Sequence, residues 1–171
     1  MTMNKNIFVA CDVSNQNEIL SLLSKIHEEI SGIKIGLQYI TQSSPDQIRE
    51  LTKFNKPIFY DGKFFDIKNT LIESIKSLKD LKVNYATVHL LNGLEALKAA
   101  NLEANKINVK LLGVSVLTSF NNKDLSELGF KNEVEEQIVQ DIPFDANLAE
   151  FVDDGDLGVI ASDLSGDIED D

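Results

Sequence analysis

The chain has a single cysteine, Cys11, and a single arginine, Arg49, among 171 residues. One cysteine excludes an internal disulfide and any cysteine-rich zinc site. No apolar run is long enough to span a bilayer. The opening stretch MTMNKNIFVACDVS is apolar for only a few residues before Asp12 breaks it, so it lacks the pattern of a secretory signal. A cytoplasmic protein without membrane partners is expected. No GxGxxG and no GxxxxGK[ST] follows the first apolar run, which argues against the common nucleotide-binding open sheets. Basic residues are absent from Asp141 onward, where eleven of the 28 carboxylates lie. The first 140 residues are therefore close to neutral, and the formal charge of −12 is carried by the acidic end. Such a distribution repels nucleic acid. The acids Asp153, Asp154 and Asp156 lack EF-hand spacing and read as solvated.

Hydrophobic residues make up 43% of the chain, an ordinary globular value, and the length suits one domain with a sizeable core. Apolar runs alternate with helical patterns. Strands are expected at Asn6–Val13, Gly32–Leu37, from Pro57, at Val83–Leu91, Val109–Ser119 and Leu157–Ser162. Between them, Asn15–Ile30 places Ile19, Leu22, Leu23, Ile26 and Ile30 on one helical face. Ser44–Phe54 opens with a capping serine and Pro45 at the first helical position. Asn69–Leu81 and Gly93–Asn105 supply two more helices, and LSELGF and NEVEEQIVQ two shorter pieces. Strands buried on both faces and separated by helices form a parallel sheet, either doubly wound or closed as a (β/α)₈ barrel.

Polar residues collect at the C-terminal ends of these runs: Asp12, Lys34, Asp61 with Lys63, His89, and Thr118 with Ser119. In a barrel, that edge carries the chemistry. The stretch PIFYDGKFFDIKNT ends a buried strand in acid, base, acid. Asp61 and Lys63, two apart, point to one face of a strand. Lys34, in an apolar strand between Ile33 and Ile35, adds a second cation. Alternating charges hold one another ionised, because each opposite neighbour favours the charged form. A solvated loop with two salt bridges is the plain alternative for DGKFFD by itself. His27, beside Glu28 and Glu29, reads as a surface residue, and His89 as a packing or hydrogen-bonding element. Cys11 reads as a small core residue facing the helices.

FYDGKFFDIKNT resembles the D-x-K-x-x-D signature of the orotidine 5′-monophosphate decarboxylase family, usually followed there by I-P-N-T. VACDV is similar to the family's first strand, GIKIGL to its second, TVHLLNG to V-H-A-x-G-G, and LLGVSVLTS to the strand ending in L-T-S. The resemblance implies a (β/α)₈ TIM-barrel type α/β fold that works as a homodimer without metal or cofactor, converting orotidine 5′-phosphate to UMP and CO₂ in pyrimidine synthesis. It makes Lys34, Asp61, Lys63 and Asp66 the catalytic set. Lys63 protonates C6 of the pyrimidine, and Asp61 lies beside the substrate carboxylate. Lys34 and Asp12 hold the ribose hydroxyls. Asp66, with Ile67 and Thr70, reaches into the partner subunit's site. Ser119 bonds the pyrimidine ring.

Lys68 stands where the family has proline, and Phe65 where it commonly has histidine. The family's later P-G-I-R and G-R-x-I segments have no counterpart, so an incomplete barrel of about six of the eight βα units is expected. In that reading, residues 1–140 form the core with the catalytic motif. Residues 141–171 form an acidic segment with a degenerate sixth strand and a tail. Two other readings stay open: a sister sugar-phosphate decarboxylase or aldolase, whose magnesium sites typically carry Glu at the position of Lys34, and a non-catalytic barrel remnant.

Overall fold

A computed structural model describes residues 7–13, 15–141 and 157–159. Six strands form one parallel sheet: β1 (Phe8–Ala10), β2 (Gly32–Gly36), β3 (Ile58–Phe64), β4 (Tyr85–His89), β5 (Lys110–Val114) and β6 (Leu157–Val159). Their spatial order is their chain order, β1 through β6. A doubly wound sheet reverses its order at a switch point. Winding in one direction throughout is that of a barrel, so the fold is α/β of TIM-barrel type, left open between β1 and β6 among the described residues.

The register sorts the strand residues onto two faces. Ile33, Ile35, Ile58, Ala86, Val88 and Leu111 point outward and are buried beneath the helices. In chain order the helices are α1 (Gln16–Ile26), α2 (Leu37–Ile40), α3 (Pro45–Glu50), α4 (Lys68–Ser77), α5 (Leu94–Lys106), α6 (Asn122–Glu127) and α7 (Val134–Asp141). Ile19 and Leu23 of α1, Ile48 of α3, Leu71 and Ile75 of α4, and Leu97, Ala100 and Ala104 of α5 close that layer. Leu22, expected on the buried face, is exposed. The apolar stripe of α1 is thus narrower than the sequence pattern, since a helix on a sheet covers its partner with one or two rows of side chains. Cys11 is fully buried on the helix side, as its parity requires. Burial, with a smaller push from Asp12, raises its thiol pKa to about 11.

Several elements end sooner than the sequence pattern. The first helical segment turns 3₁₀ at His27–Glu29, and the fifth strand stops at Val114 rather than Ser119. The third strand instead runs on to Phe64, through the charged motif. The helix start at Ser44 holds: its hydroxyl accepts from Gln47 N, the Gln47 side chain accepts from Ser44 N, and Pro45 occupies the first turn. Of the acidic segment beyond Gln140, only Asp141 and β6 fall within the described residues. The expected strand at Leu157–Ser162 is present over Leu157–Val159, paired with β5.

On the inner face, Phe8, Phe59 and Tyr85 meet edge to face, with centroids 5.7 to 6.4 Å apart. This trio fills the N-terminal side of the open barrel. The C-terminal side holds the charged residues beside an apolar wall.

Candidate active site

Three strands bring the charged residues together. Lys34 lies on the inner face of β2, Asp61 and Lys63 on that of β3, and Thr87 on that of β4. Gly36 pairs in register with Asp61, so the tips of β2 and β3 lie side by side. Lys63 Nζ is 2.9 Å from Asp61 Oδ1, and Lys34 Nζ is 3.7 Å from Asp61 Oδ2. Each carboxylate oxygen therefore faces its own ammonium. The Asp61 side chain is 13% exposed, whereas the two lysines retain 30% and 36%. Both oxygens of this enclosed carboxylate thus have a cationic partner.

Lys63 reaches this position by an irregular path. The β3–β4 register shifts between Tyr60 and Phe64, and Lys63 takes a left-handed backbone with φ of 48°. On the outer face the Tyr60 and Phe64 rings stack, 5.6 Å apart and 5° from parallel. Gly62 lies beneath them. A Cβ there would come within 2.6 Å of the Tyr60 ring, so glycine lets the strand bulge under the aromatic pair. The bulge keeps both Asp61 and Lys63 inward. Simple alternation reached the same face by a different geometry.

The buried Thr87 hydroxyl joins the group. It accepts from the Lys63 backbone N–H at 2.8 Å and donates to Asp61 Oδ1 at 3.0 Å. Sequence reading missed this residue. The available signal was its parity, two positions before His89 on the inward row of β4.

These groups line a cleft of about 580 Å³ with Leu37, Phe59, Val114, Val116, Leu117, Thr118 and Ser119. One wall is apolar, the other carries two ammonium groups around a carboxylate, and Thr118 and Ser119 stand at the rim. That combination suits a ligand with an apolar surface and a negative charge. Asp12 lies at the mouth outside this lining. It is exposed, and its Oδ1 would sit 2.9 Å from a Cβ at position 36, so Gly36 makes room for it.

Asp66, Ile67 and Thr70 are elsewhere. All three are exposed, beyond the tip of β3 and on the first turn of α4. Asp66 and Ile67 line a separate, outward depression with Phe65, Leu91 and Asn92. Within one chain, then, Lys34, Asp61, Lys63 and Ser119 share a cleft, and Asp66, Ile67 and Thr70 do not join it. Asn92 ties the two regions. Its amide donates to Phe64 O at 2.9 Å and His89 O at 2.7 Å, while its Oδ1 accepts from Asp66 N at 3.1 Å. It sits in the short turn after β4 and acts as a latch between two loops.

The sequence profile described as Orotidine 5′-phosphate decarboxylase / HUMPS family matches residues 5–170. The chain belongs to this family. Among its relatives, an orotidine 5′-phosphate decarboxylase from Wolbachia sp. subsp. Brugia malayi is 37% identical over 133 residues, covering 78% of this chain and 59% of the relative. One from Carboxydothermus hydrogenoformans is 36% identical over 135 residues, covering 75% and 56%. The chain thus spans less than two thirds of the length of these relatives. The crystal structure of orotidine 5′-phosphate decarboxylase from Lactobacillus acidophilus is similar with a TM-score of 0.72 and 29% identity, over 81% of this chain and 65% of that one. An uncharacterized conserved protein from Geobacillus kaustophilus shares the fold, with a TM-score of 0.74 at 23% identity over 89% of this chain and 71% of its own. Among the described residues no three His, Cys, Asp or Glu side chains are grouped to hold a metal ion, and no helix is long and apolar enough to cross a membrane.

Proposed function

We propose that the Lys34–Asp61–Lys63 cleft decarboxylates orotidine 5′-phosphate to UMP without a cofactor. The observation that carries this reading is the Asp61 carboxylate held between two ammonium groups at the mouth of a barrel of this family. The C6–carboxylate bond breaks, its electron pair stays on C6, and Lys63 transfers a proton to that carbon as CO₂ departs. The lysine then regains its proton from water. A cation already held at the reacting carbon stabilises the developing charge and delivers the proton in one motion. Lys34 holds Asp61 in place, and with Asp12 it holds the ribose hydroxyls. Ser119 bonds the pyrimidine. Lys34 also favours this reaction over a magnesium-dependent sister activity, because an ammonium paired with Asp61 stands where those relatives typically place a metal-binding carboxylate.

Asp66, Ile67 and Thr70 serve the site of a second copy in a homodimer. Their exposure supports this, as does the apolar rim of Phe65, Ile67 and Leu91, which are 61%, 74% and 44% exposed. Loss of orotidine 5′-phosphate absorbance tests the activity directly. Lys63→Ala and Asp66→Ala are each expected to lower the rate by several powers of ten. Mixing the two variants restores about a quarter of the sites, since half the dimers are mixed and each then holds one intact site. An inactive wild-type chain overturns the reaction, and an inactive mixture overturns the shared site.

A further inference from the structure

We infer that Thr87 is a positioning residue for Lys63 and Asp61, an inference that rests on the proposed reading of this cleft. A threonine hydroxyl has one proton to give and lone pairs to receive. Here the proton goes to Asp61 Oδ1, and a lone pair receives the backbone N–H of Lys63. The Lys63 ammonium returns to the same Oδ1. Oδ1, Lys63 Nζ, Lys63 N and Thr87 Oγ1 therefore form a closed ring of contacts, with one buried side chain joining both ends of the lysine.

This ring answers a local problem. A left-handed backbone is unfavourable for lysine, and such a conformation persists only where its surroundings hold it. The bulge takes the Lys63 amide out of regular strand pairing, and the Thr87 hydroxyl is the group that accepts it. The same hydroxyl fixes the rotation of the Asp61 carboxyl, so Oδ1 faces Lys63 and Oδ2 faces Lys34. Without it, a part-buried N–H loses its acceptor, Lys63 relaxes toward negative φ, and the ammonium leaves its place opposite the reacting carbon.

Thr87→Val keeps the side-chain shape and deletes the hydroxyl, and Thr87→Ser keeps the hydroxyl. We expect Thr87→Val to lower kcat about 10- to 100-fold, the scale of an ångström's misplacement, with KM changed by less than about threefold. Thr87→Ser is expected to stay within about threefold of wild type in kcat, which a loss of mere bulk would not explain. A second readout needs no activity: hydrogen exchange at the Lys63 amide. Its protection is expected to fall at least about tenfold in Thr87→Val and to survive in Thr87→Ser, while amides of β2 and β5 keep theirs. Should Thr87→Val fold poorly, Thr87→Ala, which also lacks the hydroxyl, is read in the same way. Unchanged Lys63 protection in the variant lacking the hydroxyl, or wild-type kcat in it, overturns the inference. A wild-type chain that does not turn over substrate overturns the functional reading instead, while the exchange measurement still decides whether Thr87 holds Lys63.

Discussion

Four residues other than glycine adopt a left-handed backbone among the described residues: Asn55, Lys63, Lys82 and Asn108. Asn55, Lys82 and Asn108 follow helical segments, where that conformation is the usual way to end a turn. Lys63 alone lies within a strand. Its conformation is therefore not an ending device and is maintained against its own cost. Lys63→Ala and Lys63→Gly both delete the ammonium and its pairing with Asp61, but only glycine adopts this backbone freely. Lys63→Gly is expected to be about 1 kcal/mol more stable than Lys63→Ala in urea unfolding, with both inactive. Equal stabilities would mean that the strand straightens once the lysine is gone.

The β3–α4 connection sets how Asp66 is presented. Its residues are exposed, and α4 begins at Lys68 with no side-chain cap from Ile67. Asp66 Oδ1 accepts from Ile67 N at 2.7 Å, a bond too local to fix the loop against the sheet. The tie to the sheet comes from Asn92, through three hydrogen bonds to Phe64, Asp66 and His89. Asn92→Ala is expected to cost about 1–2 kcal/mol and to speed hydrogen exchange at residues 64–67 more than elsewhere. Lys68 occupies the first helical position, and Ile67 before it is already extended, with φ of −59° and ψ of 149°. A proline fits there without strain. Lys68→Pro is expected to raise stability by about 0.4–1 kcal/mol by restricting the unfolded chain, and to recover part of the Asn92→Ala loss. No gain from proline would show that the Lys68 amide has a partner the helix start does not suggest.

Across the whole molecule, stability depends on groups that the fold keeps protonated. The Cys11 thiol is raised from 9.0 to about 11 by burial and by Asp12. Burial likewise raises Tyr39, whose phenol donates to Gln16, and Tyr60 beneath the helices. These groups are neutral when protonated, so the unfolded chain loses their protons at lower pH than the folded one. The unfolded state then binds fewer protons, and stability falls as pH rises through that window. The midpoint of thermal unfolding is expected to hold below about pH 9 and to drop from there toward pH 11. In Cys11→Ala the first part of that decline is shallower, and the part from the tyrosines persists. A midpoint independent of pH between 8 and 11 would contradict the assigned burial.

The alternation of strands and helices was legible along the chain because burial on both faces of a parallel sheet demands apolar runs of strand length, broken by amphipathic helices. Ser44 with Pro45 announced a helix start for equally local reasons. The meeting of Lys34, Asp61 and Lys63 was legible because charged residues inside apolar strands must find partners, and strand ends share one edge of the sheet. What the tertiary structure decided was the path between these points. The bulge at Lys63 comes from the Tyr60 and Phe64 rings closing over Gly62, and Thr87 acquires its role from a residue on the neighbouring strand. The placement of Asp66 outside the cleft of its own chain was beyond periodicity too. It follows from where a three-residue connection is latched, and Asn92, 26 residues further along, makes that latch. Local sequence determines which face a residue prefers. Which groups meet across strands depends on register, and register is settled only when the whole layer packs.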